Sequence, residues 1–338
     1  MKTAMITGIT GQDGAYLAKF LLNKGYGIIG LIRKNSRINI KNLKYLDIDD
    51  KINFIKIDLL NLLNMVRIIE KNKIDEIYNL AAQSSVGLSF NQPMETLEFN
   101  IVSTAKLLEA IRITNPKIKF YQASSSEMFG NVKKENLPIN ESFSLNPISP
   151  YGVSKAASHL ITINYRRSYN LFAVCGISFN HESVLRNKNF VTKKIINTAV
   201  KISLGLADEL RLGNIKVYRD WGYSPKYVEA MWLMLQQDNP DDYIISTGEV
   251  HSLEEFIVKV FEKLNLNVNK FVKIDKSLYR PNDLEINYGD NSKAKNKLNW
   301  NYDMSFEQLI YKLVEDEIEY LKWESNNKKI FSIKRNSI

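Results

Sequence analysis

The chain has 338 residues, 44% hydrophobic and 25% charged, with a formal net charge of +9. That length supports one large α/β domain or two interleaved ones. A single cysteine, Cys175, excludes a disulfide framework or a Cys-rich zinc site, and three histidines leave little room for a His-based metal centre.

No apolar run approaches the ~20 residues of a bilayer span. The N-terminus carries Lys2 and a short apolar stretch that runs straight into glycine-rich sequence, which does not read as a signal peptide. A cytoplasmic protein is expected. Its lysines are dispersed, and the one basic cluster (Lys328, Lys329, Lys334 and Arg335) reads as a solvated tail. Neither a nucleic-acid partner nor a membrane partner is expected.

In chain order, Thr3 to Thr7 reads as a strand, followed by Gly8, Gly11 and Gly14 and a helix over 16–23 that Gly25 ends. Strands are expected at 28–32, 52–57, 76–80 and 119–123, with helices at 62–71 and 96–114 between them. The second half is less regular. It predicts helices at 154–169, 192–204, 253–264 and 306–323, and strands at 172–179 and 243–246. Strands alternating with helices imply a Rossmann-type, doubly wound parallel sheet. A ligand then sits at the carboxyl ends of its strands.

The turn Thr7-Gly8-Ile9-Thr10-Gly11-Gln12-Asp13-Gly14 lies between a strand and a helix. Glycines there let the backbone approach a pyrophosphate, and the helix N-terminus favours its charge. After the second strand comes Arg33-Lys34-Asn35-Ser36-Arg37, where an NAD site usually has an acid. Guanidinium suits a 2′-phosphate, so NADP is favoured over NAD. Asp58, after the third strand, is placed for the adenine or serves as a simple cap.

Tyr151 and Lys155 stand four apart at the head of a helix, which puts both on one face. A nearby ammonium stabilises a phenolate and so makes the tyrosine a better base. Ser124-Ser125-Ser126-Glu127 follows the fifth strand. Such serines bind a substrate hydroxyl or cap a helix.

The glycine turn, the serine cluster, Tyr-x-x-x-Lys and Asn79-Leu80-Ala81-Ala82, in this order, resemble the extended, sugar-nucleotide-acting short-chain dehydrogenases/reductases. Glu127, two residues after Ser125, is similar to the acid of the 4,6-dehydratases in that branch. Longer segments are similar to the GDP-mannose 4,6-dehydratase family: 121–130, 169–183, 189–194, 219–222, 227–236, 247–252 and Arg280-Pro281.

The resemblance implies an NADP-dependent lyase acting on a GDP-sugar, with Ser125, Glu127, Tyr151 and Lys155 catalytic. It places the cofactor on Gly8, Thr10, Gly11, Gln12, Asp13 and Gly14, then on Arg33, Asp58 and Leu59, then on Leu80, Ala81 and Ala82. Tyr151, Lys155, His181 and Arg186 complete that set. The diphosphate falls to Arg219 and Arg280, with Lys194, Asn180 and Val191 toward the nucleotide. Gln83, Ser84, Ser85, Glu182 and Asp283 belong to the sugar pocket or its rim, beside Ser125, Glu127 and Tyr151. Read without the family, Arg219 pairs with Asp220, Lys194 is a solvated helix residue, and His181 beside Glu182 makes a poor chelate.

The resemblance also implies a Rossmann domain over 1–178, 223–246 and about 291–305. A smaller mixed α/β substrate domain takes 179–222, 247–290 and 306–338. Departures from the family pattern fall near the sugar: Ser125 for Thr, Ser85 for His, Asp283 for Glu, and Val184 and Asn187 in the segment after Glu182. They leave mannose and D-glycero-manno-heptose both open. A C4 reductase or epimerase is the alternative activity. A homodimer is expected, with a tetramer left open, since the family's Arg-Arg-Ser-Ser is Arg33-Lys34-Asn35-Ser36 here.

Overall fold

The computed structural model describes residues 1–34 and 39–335, excepting the side chains of 328–335. Its first half alternates strand and helix: β1 (Thr3–Thr7), α1 (Gln12–Asn23), β2 (Gly27–Arg33), α2 (Lys41–Tyr45), β3 (Ile52–Ile57), α3 (Leu62–Lys71), β4 (Glu76–Asn79), α4 (Val86–Asn91), α5 (Pro93–Leu97), α6 (Ser103–Thr114), β5 (Lys119–Ser125), α7 (Pro150–Tyr169) and β6 (Ala173–Ser178). The second half continues with β7 (Asn180–Glu182), α8 (Val191–Ser203), β8 (Leu210–Leu212), β9 (Tyr218–Arg219), β10 (Trp221–Tyr223), α9 (Ser224–Leu235), β11 (Asp242–Ile245), β12 (His251–Ser252), α10 (Leu253–Lys263), α11 (Val268–Phe271), β13 (Val272–Ile274), β14 (Ile286–Asn287), α12 (Ser292–Leu298) and α13 (Phe306–Arg335).

Seven strands form one parallel sheet in the order β11-β6-β5-β4-β1-β2-β3. Strand β1 pairs with both β2 and β4, so the order reverses there and a crevice opens beyond the carboxyl ends. Ala4, Met5, Ile6, Ile77, Phe120 and Val174 are almost fully buried, as both-face burial of a parallel sheet requires. Each such large side chain contributes roughly 1.5–3 kcal/mol by leaving water. This is the doubly wound fold expected from the sequence.

A second apolar core lies among α8, α10 and α13, with Ile195, Ala199, Phe256, Val260, Leu309 and Ile310 at its centre. The small pairs β7–β10, β8–β13 and β12–β9–β14 flank it.

Some elements differ from expectation. Helix α7 starts at Pro150 rather than 154, because Ser149 caps it by accepting from the Gly152 N–H and Pro150 opens it. The helix expected over 96–114 begins at Pro93 and widens into a π-helical turn at Glu98–Val102. That turn presents Asn100, which donates to Ser154 Oγ at 2.8 Å, while its carbonyl accepts from Ser158 Oγ at 3.0 Å. The distortion thus docks this helix on α7. Helix α9 was not expected, although Ser224-Pro225 opens it and Val228, Met231, Met234 and Leu235 form its buried face. Gly25 ends α1 with φ +79°, as expected.

Candidate active site

A cleft of about 1820 Å³ runs over the carboxyl ends of the sheet. Small-molecule pockets are typically about 300–1,000 Å³, so this one has room for a dinucleotide and a second ligand together.

The glycine turn forms its floor. Gly8 has φ +68°, and a Cβ on it would lie 2.9 Å from the Ala81 nitrogen. A Cβ on Gly14 would lie 2.3 Å from the Gly8 carbonyl oxygen. Only glycine permits so close a turn, which fits the backbone cradle of a pyrophosphate. Thr7 Oγ1 ties the turn to the next strand end by accepting from the Leu80 and Ala81 N–H groups at 3.0 and 2.9 Å. The hydroxyl of Thr7 is a positioning group that sequence reasoning missed.

Asp13 and His181 face each other beneath the turn, with His181 Nε2 2.9 Å from Asp13 Oδ2. Phe179 O accepts from His181 Nδ1 at 2.7 Å, and Ser224 Oγ donates to Asp13 Oδ1 at 2.9 Å. Burial alone would raise the Asp13 carboxyl, but the imidazolium outweighs it and holds the carboxyl well below its usual range. Burial alone would lower His181, and Asp13 reverses that. Both residues line the cleft while their polar atoms bind each other.

The far end of the floor is lined by Arg33, Asp58 and Leu59. The guanidinium of Arg33 lies 5.4 Å over the Phe99 ring. Lys34 lines the cleft too; Asn35, Ser36 and Arg37 lie outside the described residues. Asp58 Oδ1 accepts from the Leu60 N–H at 2.9 Å, whereas the cap of α3 is Asn61. Asn61, Asn64 and Phe99 join this end of the cleft and carried no motif by which a sequence could announce them.

Strand β5 extends to Ser125 and turns through a 3₁₀ segment at Ser126–Phe129, so Ser125 and Glu127 face α7. The Glu127 N–H donates to Ser125 Oγ at 3.3 Å. A Cβ on Gly152 would sit 2.7 Å from the Glu127 carbonyl oxygen, so glycine lets the head of α7 close on this turn. Lys155 Nζ donates to the Ala123 carbonyl at 2.8 Å and lies 5.8 Å from the Tyr151 ring centre. Ser125, Glu127, Tyr151 and Lys155 all line the cleft.

Burial pushes Tyr151 up to about 12, with Glu127 adding to the rise and Ser125 opposing it. Lys155 is pushed down to about 8 by burial. The surrounding chain favours the protonated tyrosine, so the phenolate expected at Tyr151 would need the positive charge of an oxidised nicotinamide beside it as well as Lys155. Burial raises Glu127 as well, against the lowering pull of Arg219 and Arg280.

Arg219 is buried on β9 and donates from Nη2 to Asp283 at 3.0 Å. Arg280 approaches the same carboxylate at 3.4 Å. The expected alternative partner of Arg219, Asp220, is engaged elsewhere: it accepts from Thr247 N and Oγ1 and from Gly248 N. Burial lifts its pKa to about 7.

Lys194 faces the cleft near Val191, while its neighbour Lys193 turns inward to a buried ion pair with Glu317. Asn180 and Glu182 sit on β7, and Arg186 Nε is 3.4 Å from Glu182 Oε2, with its guanidinium 3.8 Å over Phe190. Ser84 and Ser85 line the cleft, and Ser85 also caps α4. Gln83 does not line it. Its amide is held by Ser85 and Thr96, so it shapes the Ser85 loop from behind. No group of three or more His, Cys, Asp or Glu side chains could hold a metal among the described residues.

Comparison with known proteins agrees with this geometry. The family model described as GDP-mannose 4,6 dehydratase matches residues 5–313. GDP-mannose 4,6 dehydratase 2 of Arabidopsis thaliana is 45% identical over 96% of this chain and 88% of its own length. The Homo sapiens GDP-mannose 4,6 dehydratase is 41% identical over 96% of this chain and 93% of its own. Among solved structures, a dTDP-glucose 4,6-dehydratase from Bacillus anthracis superposes with a TM-score of 0.84 at 21% identity, covering 96% of this chain and 98% of that one. At that identity it supports the fold alone. The chain belongs to the GDP-mannose 4,6 dehydratase family.

Proposed function

We propose that this chain is a hydro-lyase that converts a GDP-sugar to its 4-keto-6-deoxy form with loss of water. One observation carries the reading. Ser125, Glu127, Tyr151 and Lys155 line one cleft together with a pyrophosphate-fitting glycine turn and with Arg219 and Arg280, whose charges act on Glu127.

A nicotinamide cofactor supplies a carrier that takes and returns a hydride. We read it as NADP, since Arg33 and Lys34 stand where an acid would select NAD. Gly8 to Gly14 would hold the pyrophosphate and Lys155 the nicotinamide ribose.

The chain's own residues handle the protons. Ser125 would hold the C4 oxygen while Tyr151, ionised to the phenolate beside Lys155 and the positive nicotinamide, would receive the C4-hydroxyl proton as hydride leaves C4. The resulting ketone acidifies the C5 hydrogen. Glu127 removes that proton and delivers it to the C6 hydroxyl, which departs as water. Hydride returns to C6, and Tyr151 gives its proton to C5. The cofactor ends as it began, so no external reductant is consumed. Arg219 and Arg280 would bind the diphosphate, with bidentate guanidinium contacts suited to phosphate oxygens. Lys194, Val191 and Asn180 would meet the nucleotide.

The sugar is mannose or D-glycero-manno-heptose, and the short Ser85 at the sugar end suits the larger one. We take the sheet segments as the cofactor domain and the α8–α10–α13 core as the substrate domain. We also propose a homo-oligomer formed through α5 and α7, where Met94, Val153 and Leu160 are exposed. No helix of the described residues is long and apolar enough to cross a membrane. We place the work in the cytoplasm, which suits a chain with one unpaired, buried cysteine.

The test is the mass of the product after incubation with each GDP-sugar. Loss of one water without net use of added NADPH supports the reading. Stoichiometric NADPH consumption would instead indicate a C4 reductase, and an isomer of unchanged mass an epimerase.

A further inference from the structure

Asn287 is a buried amide at the seam between the catalytic turn and the substrate-side strands. It is 1% exposed and lies outside the cleft lining, so it touches no ligand. Its Nδ2 donates to Ser126 Oγ at 3.0 Å. Ser126 is itself buried and immediately precedes Glu127 on the 3₁₀ segment. The main chain of Asn287 points the other way. On β14 it is in register with Arg219 on β9, and its carbonyl accepts from the Asp220 N–H at 3.0 Å. Asp283, which holds both Arg219 and Arg280, lies four residues upstream. One residue thus grips the Glu127 turn by its side chain and the Arg219 strand by its backbone.

The choice of an amide here is costly. Its Oδ1 is buried without a hydrogen-bond partner. Burying an unpaired acceptor is unfavourable, and an apolar side chain of the same size would avoid the penalty. What the amide adds is one fixed bond between the two strands' cargo. Resting on the function proposed above, we propose that Asn287 is a positioning residue that registers Glu127 against the sugar when the diphosphate seats on Arg219. It acts on the C5 proton step, whereas the C4 hydride step depends on Ser125, Tyr151 and Lys155, which it does not touch.

Asn287→Leu and Ser126→Ala remove the bond from either side. Both should fold, Asn287→Leu with a thermal midpoint near that of the parent and Ser126→Ala with one lowered by a few degrees, because it leaves the buried Asn287 Nδ2 unpaired. Single-turnover reduction of bound NADP by the GDP-sugar should keep its rate, and KM should stay within about twofold. Dehydration kcat should fall about 10- to 100-fold, the size expected of a misplacement on the order of 1 Å. A substrate deuterated at C5 should show a larger isotope effect on kcat in both variants than in the parent. The double variant should be no worse than either single one, because they share one interaction. Unchanged kcat in both variants would overturn the assignment. So would equal loss of the hydride and proton steps, which marks a merely structural role. Absence of turnover in the parent with either GDP-sugar would overturn the proposed function itself, and this assignment with it.

Discussion

His181 and Asp13 form an ion pair at 2.9 Å that joins β7 to the glycine turn and is backed by Phe179 O on one side and Ser224 on the other. The imidazole ring also stacks on Tyr227 at 4.6 Å. The pair fixes the turn on which a pyrophosphate would rest, so cofactor affinity and the local fold depend on the same contact.

Its pH dependence has a definite sign. The folded pKa of His181 is raised, chiefly by Asp13 against burial and against Arg186. Its contribution is complete below the ordinary imidazole pKa and is lost as pH rises through the raised value. Asp13 is lowered, so its own contribution persists above the ordinary carboxylate range and is lost only in strong acid. NADP affinity, followed by fluorescence titration, should therefore weaken on the alkaline side. Asp13→Asn should abolish that dependence and cost on the order of 3 kcal/mol in stability, as expected when one partner of a buried pair is removed.

The catalytic groups predict a bell-shaped profile of kcat/KM. Glu127 must be ionised to take the C5 proton, and burial places its pKa above the usual carboxylate range, which sets the acid limb. Lys155 must be charged, and its pKa of about 8 sets the alkaline limb. Lys155→Arg should move that limb upward while lowering the rate. A profile lacking either the acid or the alkaline limb would exclude this assignment.

Glu127→Gln should lower dehydration by roughly 10²–10⁴-fold, the usual worth of a general acid–base group. The variant should still bind NADP and accumulate its reduced form when given the GDP-sugar, visible as nicotinamide absorbance. Full dehydration by Glu127→Gln would remove the residue from the mechanism. Tyr151→Phe should instead block the appearance of reduced cofactor.

The exposed side chains of α7 predict an association state. Val153 and Leu160 lie one face apart by seven residues and are 43% and 55% exposed. Leu160→Lys should shift the protein to a monomer in sedimentation velocity without changing its thermal midpoint. A parent that already sediments as a monomer would contradict the proposed interface.

The sequence carried the parallel sheet because both-face burial writes strands such as Thr3–Thr7 and Gly27–Arg33 as apolar runs. The four catalytic candidates were legible because fixed spacing, Ser125 to Glu127 and Tyr151 to Lys155, survives as a local pattern. What stayed hidden is long-range. The His181–Asp13 pair, the Arg219–Asp283 pair and the bond from Asn287 to Ser126 join residues far apart in the chain. Two-residue strands such as β9 and β14 are too short to show any period. Lys193 and Lys194 illustrate the limit, since adjacent lysines on one helix take opposite fates only because Glu317 on α13 meets one of them.

Internal hydride transfer is the centre of the account, and a GDP-sugar deuterated at C4 tests it. After one turnover in ordinary water, the deuterium should be found at C6 of the 4-keto-6-deoxy product, with a solvent proton at C5. Deuterium left on released cofactor, or lost to water, would contradict it.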